Sequence, residues 1–107
     1  MHARVVTVQS NPDKIDETTR IYRDSVVPAA SQQPGFKGAI LLNAQDGSGK
    51  GISITLWETE ADLEAGESSG YYQEQIDKFK GVFTAAPVRE TFEVAVQNLT
   101  PEKAPIA

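Results

Sequence analysis

The sequence predicts an α+β fold of the ferredoxin-like type, with the element order βαββαβ and a four-stranded antiparallel sheet. Three observations support this prediction. Alternating apolar residues mark four strands, apolar residues at helical spacing mark two helical regions, and a Gly-rich turn joins the middle two strands. Right-handed crossovers place both helical regions on one face of the sheet. The other face must then be solvated or covered by a partner.

The first half of the chain reads as a strand, a long helix and a second strand. We predict these elements at 3–10, 12–32 and 36–44. Asn11 is a suitable N-cap, because its side chain can accept a hydrogen bond from the first turn of the helix. Pro28 lies inside the predicted helix and removes one backbone hydrogen bond. We therefore expect it to kink or break the last turn.

The second half repeats the pattern after the Gly-rich turn. A third strand is predicted at 52–58, and a capping box that starts at Thr59 begins a short helix that ends near Gly66. A break around Gly70 precedes a second helical region, and a last strand follows at 88–97. One strong apolar stripe is predicted for that second region, at Tyr72, Ile76, Phe79 and Phe83.

The alternation within the strands also assigns side chains to the two faces of the sheet. In the third strand, Ile52, Ile54 and Leu56 point one way, and Trp57 points the other way with Ser53 and Thr55. The less apolar face is expected to be the one that the helices leave uncovered, and one slip in register would reverse this assignment. On or near that face we expect Trp57, Leu41 and Ala39, mixed with Thr55, Thr91 and Lys37.

Composition and charge exclude several classes of function. The 107 residues carry a net charge of -5, which disfavours binding to nucleic acid or to an anionic membrane. The chain has no cysteine, and its one histidine is His2. Thiolate catalysis, disulfides and multi-histidine metal sites are therefore not expected. No signal peptide or long apolar run is visible, which predicts a cytoplasmic protein.

The aromatic residues are the clearest candidate site. Trp57 ends a strand just before the helix break that places Tyr71 and Tyr72, and together they can stack on an aromatic ligand and hydrogen-bond its oxygens. Trp57 and Tyr72 can equally be core residues. Glu90 falls on the apolar face of the last strand, where it is expected in an ion pair or, alternatively, in a site.

Two segments of the sequence resemble the antibiotic biosynthesis monooxygenase family. They are Gln33-Pro34-Gly35-Phe36, which enters the second strand, and Leu56-Trp57-Glu58-Thr59-Glu60-Ala61-Asp62, which leads into the short helix. The resemblance covers residues 3–97 and leaves a Pro-rich C-terminal tail at 98–107. It implies a dimeric α/β barrel, in which two sheets pack face to face in a homodimer and a small ligand lies between each sheet and its helices.

The resemblance also implies a function, namely a cofactor-independent monooxygenase that acts on a small aromatic of the phenol or quinol type. The implied catalytic residues are Trp57, Tyr72 and Arg89, with no metal and no cofactor. The haem-degrading branch does not fit, because the chain has no histidine after His2 to ligate iron. As residues that bind the substrate we predict Tyr71, Phe36 and Phe83.

Two other hypotheses for the function remain at this point. The chain can be a non-catalytic homodimer that binds a small ligand or serves a structural role, which the lack of an evident catalytic triad favours. It can also join a larger assembly through an exposed sheet edge or through the tail. Neither the substrate nor the occurrence of catalysis follows from the sequence.

Overall fold

The computed structural model describes residues 1–99, and it confirms the predicted α+β fold. Four antiparallel strands form one sheet in the order β2-β3-β1-β4. Of the tail predicted at 98–107, residues 100–107 lie outside the described part of the chain. The strands are β1 (His2–Gln9), β2 (Phe36–Asn43), β3 (Lys50–Trp57) and β4 (Val88–Glu93).

Strand β4 ends at Glu93 and is shorter than the sequence predicts. Glu93 pairs with His2, which is the first residue of β1. One more backbone hydrogen bond follows, from the Val94 amide to the Met1 carbonyl at 2.9 Å. The alternation continues through 94–97, but these residues do not form a strand.

The long N-terminal helix forms over 12–31, but Pro28 does not break it. A 3-10 turn (Pro12–Lys14) leads into α1 (Ile15–Ile21), and a π-helical turn (Tyr22–Val26) connects α1 to α2 (Val27–Ser31). The predicted break is absent, since α2 continues past Pro28, and the departure from α-helical geometry lies in the π turn just before it. Pro28 has no amide hydrogen, and the wider π turn just before it lets the helix continue.

The second helical region also differs from its prediction. Thr59 caps the helix as predicted, because its hydroxyl accepts a hydrogen bond from the Asp62 amide at 3.1 Å. The Asp62 carboxylate accepts from the Thr59 hydroxyl at 2.9 Å, in place of the Thr59 amide that a full capping box uses. Helix α3 (Glu60–Ser68) follows this cap, and helix α4 (Tyr71–Asp77) ends well before the predicted stripe does. Gly81 adopts a left-handed conformation with φ 83°, so the chain after α4 forms turns.

The buried face of this region also differs from the predicted one. Tyr71, Gln75 and Phe79 are buried at a spacing of four residues, whereas Tyr72 is only half-buried. The predicted stripe included Tyr72 and left Tyr71 outside it. The buried side of α4 is centred one residue earlier than predicted, and both tyrosines line the pocket against the sheet.

The two faces of the sheet have the opposite character from the one expected. Trp57, Leu41 and Ala39 lie on the face that the helices cover, where Leu41 and Ala39 pack on Tyr22, Val26, Phe79 and Val82. The expectation that these three residues lie on the uncovered face was wrong. The helix-covered face carries polar residues because it encloses a pocket. The uncovered face is the more apolar one, with Ile40, Leu42, Ile54 and Leu56.

Glu90 lies on that uncovered face, as its position in the alternation predicts. Its register partner across β1 is Val5. Strand β4 is at the edge of the sheet, so Glu90 is exposed and takes part in none of the ion pairs found within residues 1–99. The expected structural ion pair is therefore absent from this part of the chain. Within the same residues, the helices are too short or too polar to cross a membrane.

Candidate functional site

A pocket opens between the helix-covered face of the sheet and the helices. Strand β1 provides its floor with Val6 and Val8, and the helical segments provide its walls. Polar groups enter from several elements, including the Tyr22 hydroxyl, which lies 3.0 Å from the Ser53 hydroxyl. The remaining apolar lining consists of Val26, Leu41, Ile76, Phe79 and Phe83.

The pocket is small in this structure. Its volume of about 60 Å³ is below the ~150 Å³ of an engineered cavity that binds benzene. An aromatic ring therefore enters only if a wall moves. Helix α4, which contributes Tyr71, Tyr72, Gln75 and Ile76, is joined to α3 at Gly70, whose backbone is left-handed with φ 86° and open space around it. This joint is the natural place for such a movement.

One end of the pocket is built around the side chain of Arg4, which is 3 % exposed. Its Nε donates to a carboxylate oxygen of Glu67 at 3.2 Å, and its Nη2 donates to the Leu63 carbonyl at 2.9 Å. Both partners belong to α3. A buried guanidinium is tolerated only when it is paired and hydrogen-bonded. Arg4 therefore ties the central strand β1 to α3.

Aromatic rings pack against the same guanidinium. The Arg4 Cζ atom lies 5.4 Å from the centre of the Trp57 ring and 5.1 Å from the centre of the Tyr72 ring. The Trp57 ring is fully buried, and its Nε1 donates to the Thr55 hydroxyl at 2.9 Å. Phe36 meets it edge-on, with ring centres 5.7 Å apart. These contacts hold Arg4 in place by cation–π attraction and by packing.

A second arginine completes this end of the pocket. Arg89 of β4 has its Cζ atom 5.2 Å from the Tyr72 ring centre and its Nη1 atom 3.5 Å from a carboxylate oxygen of Glu67. Glu67 thus bridges Arg4 and Arg89. Two guanidiniums against one carboxylate leave a net positive charge beside Tyr72, which favours an anionic oxygen in the pocket. We call Arg4, Trp57, Glu67, Tyr72 and Arg89 the arginine–aromatic cluster.

The tyrosines in the pocket are held in their neutral form. Burial raises the pKa of Tyr71 to about 12, against the opposing effect of Arg4. Burial likewise raises the pKa of Tyr72 above 10.0, although Arg89 and Arg4 counteract it, and raises the pKa of Tyr22. At neutral pH all three phenols therefore carry their proton and can donate a hydrogen bond. None of them is a base under these conditions.

The structure brings most of the predicted site residues to one end of the fold. Tyr72, Trp57 and Arg89 belong to the arginine–aromatic cluster, and Phe36 packs behind Trp57. Tyr71 lines the pocket from α4. Phe83 lines it as well, stacked on Phe79 with ring centres 4.7 Å apart. Trp57, Phe36 and Arg89 do not line the pocket directly, because Arg4 and Tyr72 stand between them and the cavity.

Arg4 was not predicted as a site residue from the sequence. Its signal was present, because Arg4 shares the alternation of Val6 and Val8 and so had to face the helices with them. An arginine on an apolar strand face predicts a buried ion pair or a site. No metal centre accompanies it, since residues 1–99 contain no cluster of three or more histidine, cysteine, aspartate or glutamate side chains placed to bind one.

Comparison with known proteins is consistent with this architecture. The model of the antibiotic biosynthesis monooxygenase family matches residues 1–78. No curated protein matches the sequence. A similar solved structure is the ActVA-Orf6 monooxygenase of Streptomyces coelicolor in complex with nanaomycin D, with a TM-score of 0.73 and 14% identity. That alignment covers 94% of this chain and 92% of the other.

Two further structures share the fold. SnoaB, a cofactor-independent oxygenase of Streptomyces nogalater, aligns with a TM-score of 0.65 and 14% identity over 90% of this chain and 95% of its own. Rv0793 of Mycobacterium tuberculosis aligns with a TM-score of 0.69 and 14% identity over 90% and 96%. At such low identity these likenesses establish the fold and leave the substrate open.

The two arginines differ in burial, and this difference predicts different effects on stability. Arg4→Met removes a buried guanidinium and leaves Glu67 with only a half-exposed partner, so we expect a loss of about 3 kcal/mol in the free energy of unfolding. Arg89→Met removes a side chain that is 44% exposed, and we expect a loss of at most about 1 kcal/mol. Urea unfolding of both variants measures the difference, and equal losses would contradict the assignment of Arg4 as the buried anchor.

The tyrosine pKa values predict a loss of stability at alkaline pH. A phenol whose pKa is raised by folding stabilises the native state fully below its unfolded value near 10, and this contribution is lost as pH rises toward about 12 for Tyr71. Tyrosinate absorbance at 295 nm should therefore appear at higher pH in the native protein than in the urea-unfolded chain. Coincident titration curves would show that the three phenols are not buried as described.

Proposed function

Because the chain belongs to the antibiotic biosynthesis monooxygenase family, we propose that it is a monooxygenase of a small phenol- or quinol-type aromatic, working without metal or organic cofactor. The observation that carries this proposal is the pocket between sheet and helices. Its walls are apolar, and one end presents Arg4 with Tyr71 and Tyr72. Such a site suits a flat apolar ring that carries an acidic oxygen.

The proposed reaction balances without an added reductant. A phenol and O₂ give a quinone and water: one oxygen atom is inserted at a ring carbon, and the other leaves as water. The substrate gives up two hydrogens and supplies all four electrons that reduce O₂. An ionised, electron-rich phenol can therefore react with O₂ itself. The protein then has to orient it, exclude water and stabilise the negative charge that develops.

The cluster residues have distinct roles in this proposal. Tyr71 and Tyr72 donate hydrogen bonds to substrate oxygens, since their raised pKa values keep them protonated. Arg89, with Arg4, lowers the pKa of the bound phenol and stabilises its anion. Trp57 is a positioning residue, because it acts on the substrate only through Arg4.

Two phenylalanines support the same substrate site. Phe83 forms part of the wall against which the substrate ring packs. Phe36 holds Trp57 from behind, so its effect on the substrate passes through Trp57 and Arg4. We expect Phe83 to influence which ring systems fit the pocket, and Phe36 to influence how firmly the arginine end is held.

Oxygen uptake tests the proposal. With a panel of phenols, hydroquinones and anthrones, we expect O₂ consumption that rises with pH as the substrate ionises, because no tyrosine of the pocket is a base. Arg89→Met should lower kcat/KM by less than the ~100-fold expected for a donor that contacts the oxyanion, because Arg89 acts on the pocket from behind Tyr72. Trp57→Phe should lower it less, through a displaced Arg4. The control is Arg23→Met, which removes the same charge at an exposed position paired only with Asp24.

Two outcomes would contradict this assignment. If Arg89→Met and Trp57→Phe consume oxygen as fast as the control, these residues have no part in the mechanism. If no compound of the panel drives oxygen uptake although some bind saturably, the protein is a non-catalytic binding protein. The observation that favours this second candidate is that the pocket contains no side chain available as a base at neutral pH.

We also propose that the chain forms a homodimer through the uncovered face of the sheet. This face exposes large apolar side chains on both edge strands, where Ile40, Leu42, Val88 and Phe92 are each at least 40% exposed. Apolar surface on this scale in a small domain marks an interface. A second copy of the same sheet is the occupant that the family's architecture favours.

A charge placed on this face should separate the dimer. Leu42 is 48% exposed, so Leu42→Glu leaves the fold of one chain intact but buries an unpaired carboxylate in the interface. Sedimentation equilibrium should show a dimer for the wild type and a monomer for Leu42→Glu. Ala61→Glu adds the same charge on the exposed side of α3 and should remain dimeric. A monomeric wild type, or a dimeric Leu42→Glu, would overturn the proposed interface.

A further inference from the structure

Gln75 is the exception among the buried polar residues. It is 6% exposed, and its side-chain oxygen Oε1 is buried without a hydrogen-bond partner within residues 1–99. The other buried polar side chains in this part of the chain are all paired. Arg4 bonds to Glu67 and Leu63, the Ser10 and Thr18 hydroxyls lie 2.7 Å apart, and Thr55 accepts from Trp57.

An unpaired buried acceptor needs a physical explanation, because it loses its hydration and gains no bond in return. Packing does not explain Gln75. Its neighbours on the buried face of α4 are Tyr71 and Phe79, one turn away on either side, and a methionine or leucine would fill the same space without the cost. The position of Gln75 does offer an explanation, since its side chain lines the pocket.

We propose that Gln75 is a specificity-determining residue, whose Oε1 accepts a hydrogen bond from a hydroxyl or N–H group of the bound ligand. The ligand is then an apolar ring that carries at least one hydrogen-bond donor directed at α4. This inference takes its site from the proposed function, but it requires only binding and no oxygen chemistry.

The consequence is selection against ligands that lack the donor. A site built to bond a hydroxyl rejects the analogue without it, because the buried protein acceptor is then left unpaired. Shape alone cannot make this distinction, since a hydroxyl and a methyl group are nearly the same size. Gln75 would thus discriminate between two ligands that fit the apolar walls of the pocket equally well.

The test uses two probes of equal shape, 2,6-dihydroxynaphthalene and 6-methyl-2-naphthol, titrated by calorimetry with the protein in the syringe. Both keep one hydroxyl for the arginine end and differ only at the second position, so the wild type should bind the dihydroxy probe more tightly by at least about tenfold. In Gln75→Leu and Gln75→Met this ratio should fall about tenfold, because neither side chain accepts a hydrogen bond. Both apo variants should also melt at a higher temperature than the wild type, since the unpaired acceptor is gone.

The controls separate this inference from the oxygenase proposal. Gln73→Leu changes an exposed glutamine of the same helix and should leave the binding ratio as it is in the wild type. If the ratio falls in the Gln75 variants while no substrate drives oxygen uptake, the inference stands and the oxygenase proposal fails. If the ratio is the same in wild type and Gln75 variants, or if 2,6-dihydroxynaphthalene does not bind saturably, the inference is overturned.

Discussion

The fold of this chain depends on a single buried charge. The Arg4 guanidinium lies on the central strand, beneath the helices, at 3% exposure. Such a charge is stable only with a carboxylate and further acceptors nearby. Glu67 and the Leu63 carbonyl supply them, and both come from α3. The electrostatic needs of one strand residue therefore help to fix the position of α3 on the sheet, together with the packing of Leu63 in the cluster that contains Trp57 and Tyr71.

The consequences extend from α3 into the pocket. Because Glu67 also contacts Arg89, strand β4 is held to the same helix. Because both arginines face the Tyr72 ring, the first turn of α4 is held as well. The polar end of the pocket is thus fixed from several elements at once, whereas α4 follows a left-handed Gly70 that has open space around it, and its C-terminal end packs on the N-terminal helix through Phe79. This arrangement combines a rigid polar end with a wall that can yield to a ligand.

Sequence reasoning predicted the order of the elements well, because that order depends on local periodicity and on turn residues. It failed to predict which face of the sheet the helices cover. The more apolar side of the strands was taken to face the helices, as it does in an ordinary core, yet Trp57 and Thr55 face them instead. The pocket reverses the usual rule here, since the sheet contributes Arg4, Ser53 and Thr55 to it, and the more apolar side of the strands is left to the uncovered face. No single-strand pattern reveals this reversal.

The site was predictable to the extent that its aromatic residues were. Trp57 and Tyr72 were predicted as aromatic residues, and Arg89 was predicted from the family resemblance. Arg4 and Gln75 were not predicted. Each is a single polar residue among apolar residues on the same face of its element. Such interruptions are the informative positions. A polar residue retained on a buried face needs a partner, and the partner is either another part of the chain, as Glu67 is for Arg4, or something that the chain binds. For Gln75 the described residues offer no partner, and this points to the ligand.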